Sequence, residues 1–371
     1  RSIGSVGRVA RRVSRAVVAP RLVGGFSFHD DFQSAPPWRG FPGARFVLPR
    51  VTLATIDGET WISVTEAGPD ATPTSVTESL DIAEKRIKRA PHREGPSPGV
   101  ASAERVPGRA GWREQVRGAL DRIVAGDLEK VVLAQRLTAH LHGTFRLSDV
   151  LGRLDRAYPG CYRFAIDPGM GSAFFGATPE RLITRDGSRV QTVALAGSVG
   201  RGGTEHEDER LAAELEASDK MRHEHDLVVG AIRDQLRTVA EDVSVGDSDV
   251  RKLANVQHLE TPITADLDGG AHVLDLVEAL HPTPAVGGLP PAAAGRTIAR
   301  TERFDRGWYA APVGWFDAEG DGTFAVGIRS AVAGGEAATL FAGNGIVADS
   351  DPDTEWDELQ LKYQPILDQL R

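Results

Sequence analysis

The chain has 371 residues, 41% of them hydrophobic, with 43 basic and 52 acidic side chains for a net charge of −9. That length suffices for a large buried core, in one large domain or two to three ordinary ones. The acidic balance argues against a nucleic-acid partner held through its phosphates, yet leaves room for an anionic substrate in a locally positive pocket.

Residues 1–22, RSIGSVGRVARRVSRAVVAPRL, are rich in Arg and lack a secretory apolar stretch, so they read as an amphipathic surface segment. Residues 22–66 alternate in the manner of strands, from VGGFSFHDDF to ARFVLPRVTLATIDGETWISVTEA. From 67 to 111 Pro, Gly, Ala and charge dominate, the composition of a linker or surface loop. The expected division is 1–111, a β-rich region with a Pro/Gly-rich linker belonging to the same fold, and 112–371, the main body.

In that body WREQVRGALDRIVAGD places Val116, Leu120, Ile123 and Val124 at helical spacing. KVVLAQRLTAHL predicts a strand and LSDVLGRLDRAY a helix. CYRFAID, SAFFGATP and RVQTVALAG predict short strands; residues 205–239 predict helix with a break near Ser218. DVRKLANVQHLETPITADL reads as β, and HVLDLVEALHP as a helix ended by Pro282. Residues 307–347 read as three or four antiparallel strands with Gly-rich turns, and a last helix follows Ser350 as its N-cap. Hairpin strands with helices between them predict an α+β fold built on large antiparallel sheets.

The lone cysteine, Cys161, excludes an intrachain disulfide and suits a reducing compartment. No apolar run approaches the ~20 residues of a membrane span. No membrane partner and a cytoplasmic setting are therefore expected.

Several polar residues stand out against their surroundings. Lys130 opens an apolar strand; it is either a side chain reaching out to water or a desolvated amine able to act as a base. Glu180 closes GATPE, as an ordinary turn charge or as a general acid. Glu224, four residues before Val228 and eight before Ile232, leans toward a buried face, where a carboxylate needs a partner or a metal. Neighbouring His223 and His225 point to different faces and no HExxH occurs, which argues against zinc.

In SDPDTEWDELQLKYQ, residues 350–364, Glu355, Glu358 and Lys362 share one helix face. A solvated acidic turn is the plain reading. Carboxylates from two helices, joined by substrate oxygens and water, would instead suit Mg²⁺. ALAGS and AGNGIV offer small residues that let backbone approach a ligand closely. No phosphate-binding GxxxxGK[ST] is present.

Taken in order, KVVLAQR, GATPERL, TVALAGS, the EH of KMRHEHDLVV, VQHLETPI, LHPTPAVGGLP, RGWYAAPVGW, FAVGIRSA and AGNGIVADSDPDTEWDELQLK resemble the chorismate-utilising enzymes. The resemblance covers roughly 112–371, which it makes a chorismate-binding catalytic domain. GGFSFHDDF and GFPGARFVLPR add a likeness to the isochorismate synthase branch. It implies the anthranilate synthase component I-like fold, with two antiparallel sheets packed face to face and helices outside.

By that resemblance, Glu224 and Glu358 would bind Mg²⁺, with Glu355 in or near the ligand set. Lys130 would be the general base that activates water, and Glu180 the general acid. Arg329 and Lys362 would grip substrate carboxylate beside Tyr309. His258 would lie near the reacting ring, and the backbone at Gly197, Ser198, Gly343 and Gly345 would complete the pocket. Lys130 stands where ammonia-using relatives carry Gln, and Ala196 where aminodeoxychorismate synthases carry a nucleophilic Lys. The expectation is thus an isochorismate synthase, with salicylate synthase as the alternative. It would act as a monomer on chorismate with no amidotransferase subunit. Three departures from the family pattern, Ser198, Met221 and Asn344, leave the named residues in place.

Overall fold

A computed structural model describes residues 19–89 and 95–371. The Arg-rich surface segment expected at the start lies, up to residue 18, outside the described residues.

The chain opens with strands β1 (Leu22–Phe26), β2 (Ala44–Val47), β3 (Val51–Ile56) and β4 (Glu59–Val64), then helix α1 (Pro73–Arg89) and β5 (Val100–Val106). It continues with α2 (Arg109–Val124), β6 (Lys130–Leu141), α3 (Leu147–Ala157), β7 (Tyr162–Ile166), β8 (Ala173–Thr178), β9 (Arg181–Asp186) and β10 (Arg189–Gly200). Next come α4 (Glu205–Ala217), α5 (Asp219–Leu236), β11 (Glu241–Val245), β12 (Asp249–Lys252), β13 (Val256–Asp266), α6 (Val273–Leu280), β14 (Gly288–Leu289) and α7 (Pro291–Thr301). The last elements are β15 (Pro312–Phe316), β16 (Gly322–Val326), β17 (Ser330–Gly334), β18 (Ala337–Ile346) and α8 (Pro352–Leu370).

These strands form two large sheets and one hairpin. The first sheet runs β11-β13-β10-β9-β16-β15-β1-β2, with β12 also on β13; the second runs β14-β6-β18-β17-β8-β7, with β5 also on β6. Pairing is antiparallel throughout, including β6 with β18 and β10 with β13. Helices α4, α5 and α6 pack on the first sheet, and α2, α3, α7 and α8 on the second. The architecture is thus the expected α+β arrangement of two sheets face to face with helices outside.

Burial explains the strand sequences. β6 lies inside its sheet, between β18 and the short β14 and β5, and most side chains along it are buried, so VVLA at residues 131–134 is apolar without alternation. Aromatic rings join the layers: Tyr309 stacks on Phe341 at 5.2 Å, and Trp38 stacks on Phe341 at 5.5 Å while meeting Phe174 edge-on.

Two of the chain's crossings between the sheets are short and adjacent. Pro179 and Glu180 lead from β8 to β9, and residues 327–329 lead from β16 to β17. The crossings are tied together, because Val326 N donates to Glu180 O at 3.0 Å and Ala177 N donates to Arg329 O at 3.1 Å.

Some expectations need correction. The stretch 67–111, expected as linker or surface loop, carries α1 and β5, and β5 pairs with β6 from Val100 to Val106. Its Pro and Gly punctuate short elements, and the exposed alternation of VASAERV is too polar to stand out. The last helix is capped by Asp351, which accepts from Asp353 N at 3.0 Å and Thr354 N at 2.9 Å, with Pro352 at the first helical position. Ser350 instead accepts from Val347 N. Helix α7 was hidden in the Pro- and Ala-rich PPAAAGRTIAR. The expected break at Ser218 is real: that residue ends α4 and caps α5.

Candidate active site

A cleft between the sheets is lined by Lys130, Glu180, Gly197, Ser198, Glu224, His258, Tyr309, Arg329, Gly343, Gly345, Glu355, Glu358 and Lys362. The residues that the resemblance names for catalysis, substrate and metal therefore reach one place, while Cys161, His225 and Asn344 do not line it.

Lys130 enters from the start of β6 and is 1% exposed. Its ammonium lies 2.9 Å from Glu224 on α5. Burial opposes ionisation of Glu224 most strongly, but the charge and hydrogen bond of Lys130, helped by Lys362 and Lys220, outweigh it and hold the carboxyl below its usual value. The pair needs a glycine beside it: a Cβ on Gly345 would stand 2.6 Å from Glu224 Oε1 and 2.7 Å from Lys130 Cε.

Glu180 sits on the first crossing. Burial pushes its carboxyl up to about 7, against the pull of Arg329, Lys130 and Lys362. It therefore exchanges a proton near neutrality. Arg329, on the second crossing, is 8% exposed and adopts φ +50°, a backbone conformation costly for a non-glycine residue. Its guanidinium has no hydrogen-bond or ion-pair partner among the described residues, and burial lowers its pKa. A buried cation of this kind calls for an anionic ligand.

β10 and β13 supply the opposite wall. Ala196 pairs with Leu259 and Ser198 with His258, leaving Gly197 as a bulge at φ +70°. His258 Nδ1 lies 3.2 Å from Gly197 O and 2.9 Å from Ser198 Oγ. The carbonyl can only accept, so Nδ1 carries the proton and Nε2, buried without a protein partner, keeps its lone pair. Burial, then Arg329 and Lys362, drive this imidazole down to about 3, so it is neutral at pH 7. Tyr309 is held neutral as well, its phenol pushed up by burial to about 12.

The acidic wall comes from α8. Glu358 pairs with Lys362 at 2.7 Å, and Glu355 lies 3.7 Å from Lys220. Burial first, and the charge of Glu358 second, raise the Glu355 carboxyl. Among the described residues no three His, Cys, Asp or Glu side chains form a ready-made metal cage. What α5 and α8 present are the hard carboxylate oxygens that suit Mg²⁺, which commonly uses one or two such ligands together with water and substrate.

Two charged lining residues escaped the sequence reading. Lys220 stands one helical turn before Glu224, a spacing that could have marked it. Arg306, in RGWY, is 1% exposed and clamps the wall by donating to Val132 O and Val286 O at 2.8 Å while paired with Glu302.

Residues 6–371 match the model of the chorismate binding enzyme family. The chain belongs to that family. Isochorismate synthase MenF of Bacillus subtilis is 38% identical over 366 residues, 97% of this chain and 76% of that protein. The salicylate biosynthesis isochorismate synthase of Pseudomonas aeruginosa shows the same identity and coverage. Among solved structures, the menaquinone-specific isochorismate synthase MenF of Escherichia coli superposes with a TM-score of 0.80 at 28% identity, covering 95% of this chain and 79% of that one. Anthranilate synthase component I from Streptococcus pneumoniae, at 24% identity and TM-score 0.83, shares the fold. No helix among the described residues of this family member is long and apolar enough to cross a membrane.

Proposed function

We propose that the chain is an isochorismate synthase acting through Lys130 and Glu180. The observation that carries the residue assignment is the unpartnered, buried Arg329 beside a carboxyl poised near 7. Chorismate, a dicarboxylate, would place one carboxylate on Arg329, where planar donors suit it.

Lys130, acting as the neutral amine after its ammonium has given up a proton to solvent, takes a proton from water as the water oxygen bonds to C2 of the ring. The two ring double bonds each shift by one position, the C4–O bond breaks, and Glu180 gives its proton to the departing hydroxyl. Water enters and water leaves, so substrate and product are isomers. His258, neutral, offers the Nε2 lone pair to a substrate hydroxyl; Tyr309 and the backbone at Gly343 and Gly345 bound the ring. Gly197 and Ser198 shape the opposite wall.

Glu224 and Glu358 are the residues suited to hold Mg²⁺, with Glu355 behind them. The cation would neutralise a substrate carboxylate that three protein carboxylates would otherwise repel. Taking up Glu224 would also free Lys130 from its ion pair. Glu224, Glu355 and Glu358 each have a lysine beside them, whereas Arg329 and Glu180 form no ion pair among the described residues.

Purified protein given chorismate and Mg²⁺ should yield isochorismate as the separated product. Salicylate with pyruvate would move the reading to salicylate synthase, and unchanged chorismate would reject it.

A further inference from the structure

Asn344 lies between the two cleft glycines of β18 but faces the other way, toward α8, and is 1% exposed. Its Nδ2 donates to the Glu355 backbone carbonyl at 2.7 Å and to Glu355 Oε2 at 2.9 Å. Its Oδ1 accepts from Lys362 Nζ at 2.7 Å. The orientation of the amide is fixed by its neighbours, since an ammonium can only donate and a carboxylate can only accept.

Lys362 and Glu355 stand two turns apart on α8 with opposite charges, and the Asn344 amide spans them. Lys362 places its other two protons on Gly343 O at 3.0 Å and Glu358 Oε1 at 2.7 Å. All three donors are thus used. Two acceptors, Gly343 O and Asn344 Oδ1, are neutral and belong to one strand. The third, Glu358, is a carboxylate on the cleft side, and another carboxylate can take its place. A lysine without the two strand contacts would follow Glu358 on its flexible stem.

We propose that Asn344 is a positioning residue for substrate binding. It anchors the Lys362 ammonium at the cleft wall so that one donor can pass from Glu358 to a carboxylate of the substrate. The same amide holds Glu355 back against α8, out of reach of that donor. The proposal rests on chorismate being the substrate.

The test compares wild type with N344A in two measurements: kcat and KM for chorismate, and calorimetric binding of chorismate to metal-free protein. With one hydrogen bond to a charged group lost, N344A should raise KM and the metal-free Kd roughly tenfold while kcat changes by less than about threefold. In a K362M background N344A should add no further loss of binding. If N344A lacks a cooperative melting transition, N344S and N344T are read in the same way. Unchanged KM and Kd overturn the proposal, and so does a full N344A effect in the K362M background. Wild-type turnover is the control: wild type that leaves chorismate unchanged counts against the function itself, whereas turnover with unaltered N344A constants counts against the role of Asn344 alone.

Discussion

Lys130 and Glu224 stand 94 residues apart in sequence and 2.9 Å apart in space, joining the second sheet to the helix that covers the first. In the proposed mechanism the pair sets the base, Lys130, against a carboxylate that would hold Mg²⁺. Replacing Lys130 by Gln should cut isochorismate formation by ~100-fold or more, the scale of a lost general base. Product separation after incubation with chorismate reads the outcome. Isochorismate at the wild-type rate would remove Lys130 from the mechanism.

Glu180 couples activity to stability with a defined sign. Its carboxyl titrates near 7 in the folded chain against 4.5 for the ordinary group. The folded state holds this proton longer, so its stabilising effect is complete below 4.5 and is lost as pH rises through 7. By pH 8 the deficit is about 3 kcal/mol, at ~1.4 kcal/mol per pH unit. Glu180→Gln should therefore melt higher than wild type at pH 8 and equally at pH 4, while turnover falls by ~100-fold or more. Equal melting at pH 8 would contradict the burial argument.

Arg329 is a buried cation without a partner, so its removal should cost affinity rather than stability. Arg329→Gln should raise KM for chorismate roughly 30-fold, the worth of a charged contact. Its melting temperature should match or exceed that of wild type. A large drop in melting temperature with unchanged KM would make Arg329 structural.

Gly345→Ala should impair turnover in a protein that still folds, because the added Cβ lands on Glu224 Oε1 and Lys130 Cε. Gly118→Ala is the contrasting case. That Cβ meets nothing within 4 Å on a helix, and stability should rise by about 0.5–1 kcal/mol. Thermal melts and initial rates on both variants separate the two effects.

Acid should weaken the fold early. His258 is lowered to about 3 and His281 to about 4, both by burial first. Each is neutral when folded, so the stability it contributes is present above about 6.5 and lost as pH falls toward those values. By pH 4 each loss is about 3 kcal/mol at ~1.4 kcal/mol per unit. Protonation of Glu180 returns about 3 kcal/mol over the same range. Stability read from denaturant midpoints should therefore fall by a net ~3 kcal/mol from pH 7 to pH 4 in wild type and by about twice that in Glu180→Gln; a flat profile in Glu180→Gln would place charge on these rings in the folded state.

The sequence made the site legible where one residue type broke a local pattern. Lys130 heads an apolar strand, and Glu224 leans into a helix core. Glu180 follows a proline; only the structure shows that the turn is a crossing between sheets, tied to the crossing that carries Arg329. Asn344 looked like a departure from pattern, since its partners lie 11 and 18 residues onward and nothing local announces them. The hidden strands share one cause. β14 is two residues long and β5 is mostly exposed, so neither carries enough burial to leave a periodicity. At the acidic end of the chain Asp351, not the expected Ser350, caps α8, Asp353 pairs with Arg113, and Glu355 and Glu358 line the cleft.

The place of β1 in the first sheet sets a schedule for synthesis. Leu22 pairs with Phe316 and Gly25 with Val313. Roughly 290 residues must leave the ribosome before that ladder can close, about 15–60 s at ~5–20 residues per second. Throughout that interval β1 can pair with β2 on one side, Val23 with Val47 and Phe26 with Ala44, while its other edge stays open. The cleft wall on β18, with Gly343 and Gly345, is also made late, so neither sheet is complete until nearly the whole chain has been translated.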